Sequence, residues 1–498
     1  MKISGYRSYD DGFEDVVADM MALFEIPALD VSMDMLPANI IIVSSRIVGG
    51  EQPSILSKLS YTDDNGYLMA VERMSPKSQP GEHFKSAIKR LVRLNLLALL
   101  KEVTGKNPGP WGIMRGVRPT KIVHRLLDEG LDNDEVVRRL ENDYAIVSKK
   151  ARLLTEIAYR QRRFLLLPEE KKRISVYVGI PYCLSRCLYC SFPSAVLPLD
   201  QNEVENFLTA LEADVKSASK CIKKFGLTVD SLYVGGGTPT SLAEEDFVRM
   251  LHLVRSELVS TSTREFTVEA GRPDSTSDDK ILVMREVGVT RVSVNPQSMQ
   301  EKTLKLIGRN HNVRDIIVMF KKIRKIGIPV INMDIIVGLP GETVADLAQT
   351  MEQIAALAPD NLTVHTLALK RGSILKENVG FLVLSEKQIA ADMMAIAESY
   401  AIKLGMVPYY LYRQKNMAGN LENIGYAIPE KECLYNIQMI EERQTIIGIG
   451  PTAATKAVVP GDYKLTSIYN PKDIRSYIGN LNNYLERREA LLAKLFES

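Results

Sequence analysis

Cysteine, histidine and tryptophan are scarce in this chain: five, five and one among 498 residues. Five cysteines are an unlikely disulfide framework for so long a chain, and histidines scattered singly leave few partners for a zinc site. Charge of one sign is missing as well. The 63 lysines and arginines nearly cancel the 61 aspartates and glutamates. No overall basic field therefore argues for nucleic acid or an anionic membrane, and an anionic ligand must meet a local basic patch. No apolar run approaches the ~18 to 20 residues that span a bilayer, and the start of the chain turns acidic where a secretory signal needs its apolar core. The expectation is a cytoplasmic protein without a membrane span, monomeric and not bound to nucleic acid. At 45% hydrophobic and 25% charged, the composition is that of a globular protein of two or three domains.

What cysteine there is stands together. Cys183, Cys187 and Cys190 form a C-x3-C-x2-C loop within Ile180-Pro-Tyr-Cys-Leu-Ser-Arg-Cys-Leu-Tyr-Cys-Ser-Phe192. Three thiolates hold three irons of a four-iron cluster, and the fourth iron, without a protein ligand, is open to a small molecule. A structural zinc site usually takes two C-x2-C pairs or a C-x2-C with two histidines, so here it would need His311 or Cys433 brought in by folding. Cys221 and Cys433 otherwise read as ordinary buried thiols.

From Ile174 onward, β-rich runs alternate with helix-period segments: Ile174 to Ile180, Asp230 to Val234, Glu265 to Ala270, Thr290 to Asn295, Pro329 to Val337 and Asn361 to Ala368. Between the last two, Val344, Leu347, Ala348, Met351, Ile354, Ala355 and Ala358 mark one apolar helix face. Six βα units predict an α/β fold with a parallel sheet, an incomplete barrel rather than a closed eightfold one, whose open side suits a large substrate. The Cys loop, Gly235-Gly-Gly-Thr-Pro-Thr240 and Gly338-Leu-Pro-Gly341 each follow a strand, so they should converge on one rim.

Residues 1–165 read as an N-terminal α+β domain, with helices near Phe13 to Phe24 and Phe84 to Val103 and β-like runs at Asn39 to Val43 and Gly66 to Met74. A charged helix from Tyr144 to Leu165 is expected to link it to a core at 166–400, with Pro168 to Arg173 as the exposed junction. Residues 401–498 form a C-terminal capping region. The only tryptophan, Trp111, sits among turn residues beside Arg115, Arg118, Lys121 and Arg125; that stretch reads as a solvated surface, with anion or partner binding as the sharper alternative. His124 has no evident partner in the sequence.

The Cys loop, preceded by Ile-Pro-Tyr and holding the aromatic Tyr189, resembles that of the radical S-adenosylmethionine (SAM) enzymes. The resemblance implies a 4Fe–4S cluster whose open iron chelates SAM, and reductive cleavage of SAM to a 5′-deoxyadenosyl radical. Gly235, Gly236, Gly237 and Thr238 resemble the family's glycine-rich segment, whose backbone meets the methionine end of SAM. Further matches come from the oxygen-independent coproporphyrinogen III dehydrogenase group. Glu269 is similar to a SAM-contacting glutamate, and Gln297, Arg309 and Asp334 to ribose and carboxylate partners; their types fit, since Gln and Asp accept from hydroxyls and Arg pairs with carboxylate. Tyr177 matches a tyrosine near the reaction centre, although strand propensity alone also favours tyrosine there.

Gly179 stands where the best-known branch has histidine, and Phe192 where it has a further cysteine. The texts at Tyr409 to Asn420, Cys433 to Gln438 and Glu442 to Ile447, with the long N-terminal domain, resemble the HemZ-like branch. That branch implies an oxidoreductase of haem biosynthesis that decarboxylates two propionates of coproporphyrinogen III to vinyls. It also implies a tetrapyrrole substrate, a flavodoxin- or ferredoxin-type electron donor, and one or possibly two SAM molecules. Cationic anchors for a tetracarboxylate are sought in Lys370, Arg371, Arg413 and Lys415, and His365 reads either as a group at the barrel mouth or as a core histidine. Pro451, in a segment where the family tends to have more glycine, removes a backbone donor. A haem chaperone with the same core, and a radical SAM enzyme that methylates or opens a porphyrin, are the competing functions.

Overall fold

A computed structural model describes residues 3–8, 12–29, 39–63, 65–79, 82–165, 170–370, 372–377, 387–415, 417–459, 461 and 463–497. Residue 371 and part of the expected junction at 168–173 thus lie outside the described residues. The chain divides into two compact units: Met1–Gly116 with Ile122–Thr155, and Val117–Lys121 with Glu156–Ser498.

In the first unit, strands β1 (Gly5–Ser8), β2 (Ile40–Val48), β3 (Ser54–Thr62) and β4 (Leu68–Met74) form a sheet in that order. Helices Glu14–Leu23 and Phe84–Thr104 cover one face of it. Alternation in the strands and helical spacing in the helices place Ile41, Val43, Ile55 and Leu59 against Val16, Met20, Leu91 and Leu96, all fully buried or nearly so. Buried Asn95 donates from Nδ2 to the carbonyls of Ile55 (2.8 Å) and Arg73 (3.0 Å), tying helix to sheet. Two readings are corrected here. Trp111 is fully buried instead of lying on a solvated surface. The expected helix from Tyr144 is two helices: Asn133–Tyr144 stops at Ala145 in the left-handed region (φ +54°), and a second runs Ser148–Gln161.

The second unit is built on one sheet of eleven strands. Its centre is six neighbouring parallel strands, β5 (Arg173–Ile180), β8 (Thr228–Gly236), β9 (Glu265–Gly271), β10 (Arg291–Gln297), β11 (Val330–Val337) and β12 (Asn361–Thr366). The short parallel pair β6 (Tyr182–Cys183) and β7 (Ala195–Val196) belongs to the Cys loop. Crossover helices such as Gln201–Lys224, Glu244–Leu258, Val313–Ile326 and Val344–Leu357 connect the parallel strands. The last of these is set by Thr343, whose hydroxyl caps the Asp346 amide (3.2 Å), and it buries Leu347, Met351 and Ile354 from the expected face.

The segment after residue 401 enlarges this sheet at both edges, which the end of βα alternation had concealed. β13 (Val407–Tyr412) and β14 (Asn423–Ala427) add antiparallel beside β12. β15 (Ile446–Ile449) pairs parallel with β5, and β16 (Ala454–Val458) and β17 (Leu465–Tyr469) continue antiparallel to the other edge. The order runs from β13 to β17 without closing, as an incomplete barrel requires. Among the described residues no helix is long and apolar enough to cross a membrane.

Candidate functional site

The C-terminal ends of the central strands surround one cavity of about 670 Å³, lined by Cys183, Cys187 and Cys190 together with the glycine turn after β8. The Cys loop is fixed by its backbone. The Leu188 amide donates to the Ile307 carbonyl (3.1 Å), Cys190 to that of Cys187 (3.1 Å) and Leu197 to that of Cys183 (2.9 Å). Thr238 Oγ1 donates to Cys183 Sγ (3.5 Å), and Arg272 Nη1 stands 4.0 Å from Cys187 Sγ. Burial, with the neighbouring Cys187 and Cys183, pushes the Cys190 thiol up, while Arg186 pulls it down; binding a metal would displace its proton.

The glycines after β8 are required by close approach. A Cβ on Gly237 would stand 2.4 Å from the Tyr182 carbonyl oxygen and 3.1 Å from Cys183 Sγ; one on Gly236, at φ +113°, 2.6 Å from the Ile180 oxygen. The amides of Gly237 and Thr238 donate to the carbonyls of Ile180 and Tyr182 (2.7 Å each). They hold the turn against the Cys strand, so these two amides are engaged within the protein while Gly236, Gly237 and Thr238 still line the cavity.

Glu269, at the end of β9, accepts from the Tyr233 hydroxyl (2.5 Å), and burial pushes its carboxyl up to about 7, with Asp334 adding to the effect. Gln297 ends β10 at φ +67°, an uncommon conformation for a residue with a side chain, and its Oε1 is buried without a protein partner. Arg309 is buried and donates from Nη2 to the Tyr189 hydroxyl (2.8 Å), while Nε and Nη1 have no protein acceptor. Asp334 Oδ1 accepts from Asn332 Nδ2 (2.7 Å). Orphaned polar atoms cost free energy unless a ligand satisfies them, so Gln297 and Arg309 fit a polar cofactor lying across the strand ends. The three thiols and the bare glycine surface fit a cluster beside it.

A mononuclear metal fits less well. Among the described residues no three His, Cys, Asp or Glu side chains gather to hold a single ion; thiolates of a cluster need no such convergence, since each takes a different iron. His311 Nδ1 faces Asp274 Oδ1 at 3.4 Å, Cys433 Sγ donates to Glu265 Oε1 at 3.3 Å, and neither residue lines the cavity with the three thiols.

A model of the radical SAM superfamily matches residues 177–354. The oxygen-independent coproporphyrinogen-III oxidase-like protein HemZ of Bacillus subtilis (strain 168) is 38% identical over 467 residues, 90% of this chain and 92% of that protein. This chain belongs to the HemZ family of radical SAM proteins. The heme chaperone HemW of the same organism is 31% identical over 229 residues, 45% of this chain and 59% of its own. The solved coproporphyrinogen III oxidase HemN from Escherichia coli, a radical SAM enzyme, shares the fold at a TM-score of 0.52, with 22% identity over 66% of this chain and 72% of that one. Radical SAM membership implies a 4Fe–4S cluster and SAM.

In this HemZ-family chain the far wall of the cavity is aromatic. Tyr177 stacks on Tyr435 and Tyr233 at 6.0 and 6.2 Å between centroids, Tyr233 on Tyr435 at 4.6 Å, and Tyr410 on Tyr412 at 6.2 Å. His365 lines the cavity, with Nδ1 3.3 Å from the Tyr412 hydroxyl and Nε2 3.6 Å from Asp334; it belongs to the mouth and not to the apolar core. Lys370 also lines it, its ammonium held below the usual range by burial. Arg413 does not: its buried guanidinium donates to the carbonyl and Oδ1 of Asn420 (3.0 and 2.6 Å) and to the Leu421 carbonyl (3.3 Å), which corrects its expected role as an anion anchor. Lys415 is exposed outside the lining, and Arg371 lies outside the described residues. Sequence reasoning missed Arg272, for which no signal exists, and Tyr410 and Tyr412, whose i, i+2 spacing on a strand is a usable one.

Proposed function

We propose that the protein is a radical SAM oxidoreductase of haem biosynthesis that decarboxylates two propionates of coproporphyrinogen III to vinyls, giving protoporphyrinogen IX. One observation carries this reading: three thiols, unsatisfied buried atoms of Gln297 and Arg309, a stacked tyrosine wall and Lys370, which has no ion pair among the described residues, face a single cavity. When bound, cluster and SAM supply a 5′-deoxyadenosyl radical that takes a hydrogen atom from the propionate side chain; carbon dioxide then leaves and one electron passes to an external acceptor.

Cys183, Cys187 and Cys190 are the cluster ligands in this reading. Arg309 pairs with the SAM carboxylate, Glu269 accepts from its amino group, and Gln297 and Asp334 take the ribose hydroxyls. A single SAM is assigned: beside Tyr177, the Gly450 amide donates to Asp214 (2.9 Å), Pro451 has no N–H and the Thr452 amide donates to the Pro471 carbonyl (2.8 Å). The faces of Tyr177, Tyr233 and Tyr435 receive the macrocycle and exclude water, and Lys370 with His365 meets carboxylates.

The test is anaerobic: rebuild the cluster, add reductant, SAM and coproporphyrinogen III, and follow 5′-deoxyadenosine and porphyrin products by mass spectrometry. Loss of two carboxyl groups matched by deoxyadenosine is expected. SAM cleavage with untouched porphyrinogen would overturn the substrate, and a Cys187→Ala variant that still cleaved SAM would overturn the cluster assignment.

A further inference from the structure

Five cationic side chains other than histidine line the cavity: Arg186, Arg272, Arg309, Lys370 and Lys472. Three are committed. Arg186 donates to the Gly372 carbonyl, Arg272 is bidentate to Asp274 (3.0 and 2.7 Å), and Arg309 holds Tyr189 and is assigned above to the cofactor. Lys370 and Lys472 make no ion pair among the described residues. Lys472 differs from Lys370 in its position. It stands where the cavity meets a second groove of about 580 Å³, and Pro193 and Ser194 border both spaces with it.

An exposed lysine is usually only solvated, but the backbone that carries this one is held from every side. The Thr452 amide donates to the Pro471 carbonyl (2.8 Å) and the Asn470 amide to that of Ala453 (2.9 Å), while Asn470 Nδ2 donates to the Gly450 carbonyl (2.8 Å). Gly450 in turn donates to Asp214, a buried carboxylate that also receives Tyr477 Oη (2.6 Å) and Arg488 Nη1 (2.5 Å). On the other side Asp473 caps the helix Ile474–Gly479 by accepting from the Ser476 amide (2.7 Å). Thr452 itself lines the cavity at φ +66°, a strained conformation that the lacing over-determines. A solvated lysine needs no such support; a cation that must meet an anion at a fixed point does.

We infer that Lys472 binds a carboxylate of the substrate away from the reacting side chain, and so decides which end of the polycarboxylate enters and which end extends toward the groove. The inference rests on the tetrapyrrole reading above.

The two are separated by titrating the full-length protein without cluster with coproporphyrin III, the fluorescent oxidised form of the substrate, and with its neutral tetra-amide. Lys472→Gln should weaken coproporphyrin binding about ten-fold, the loss of one charge-assisted contact, leave tetra-amide binding unchanged, and be largely rescued by Lys472→Arg. Tight binding by the unaltered protein that Lys472→Gln leaves intact would overturn the anchor alone, as would an equal loss for both ligands. Absence of coproporphyrin binding by the unaltered protein would overturn the tetrapyrrole reading and the anchor with it.

Discussion

Glu269 is the residue whose chemistry is most exposed to test. Its carboxyl, pushed up to about 7 by burial, accepts best from the amino group of SAM when ionised. SAM affinity should therefore rise as pH climbs through about 7. Glu269→Gln should flatten that profile and weaken binding about ten-fold or more, measured by anaerobic calorimetry; an unchanged profile would remove Glu269 from the cofactor contacts. At this scale the sequence was legible where chemistry dictates local spacing. The three cysteines, the glycine turn and Glu269, Gln297, Arg309 and Asp334 all reach one cavity, because parallel strands bring their C-terminal ends and the loops after them together whatever lies between. Arg413 was misread because a guanidinium seven residues from Asn420 shows nothing in the sequence of the 3₁₀ turn that brings them together. Trp111 was misread because neighbouring charges say little about where an indole points.

Among the elements, the six parallel strands were legible from their apolar runs, since strands buried on both faces read as continuous hydrophobic segments. The five later strands were not. They are short, broken by Gly448 and Gly450, and pair antiparallel or with strands far away in the chain. What secures β15 and the loop after it is the buried ion pair of Asp214 on helix Gln201–Lys224 with Arg488 on helix Leu481–Phe496, which hold Gly450 and Gly448. Removing one partner of a buried pair leaves an uncompensated charge. Arg488→Met should therefore destabilise the protein by about 3–5 kcal/mol in chemical denaturation. Arg249→Met, which breaks an exposed pair with Glu205, should change it by less than about 1 kcal/mol. Equal effects would mean that the Asp214–Arg488 pair contributes no more than a surface pair.

On the scale of the whole molecule, burial leaves a carboxyl whose protonation depends on folding. Glu441, buried and accepting from Thr120 Oγ1 (2.7 Å), is pushed up to about 7 from an ordinary value of 4.5. Between those values the folded chain keeps a proton that the unfolded chain has released, so stability falls as pH rises from about 4.5 to about 7 and is level above. Without cofactors the denaturation midpoint should decline across that window, and Glu441→Gln should remove part of the slope; a midpoint rising there would contradict the buried, protonated state. The expected three-part division resolves into two compact units, the supposed cap being part of the sheet of the core. The pairing of β15 with β5 also bears on biogenesis. The Cys loop leaves the ribosome long before the strand that covers its parent strand, and Arg488, which locks that strand's following loop through Asp214, comes later still. A nascent chain, or one cut before β15, thus exposes a bare sheet edge beside three unprotected thiols, so metallation belongs after β15 and Arg488 have been made, and a chain ending before them should be prone to aggregation and oxidation rather than partly active.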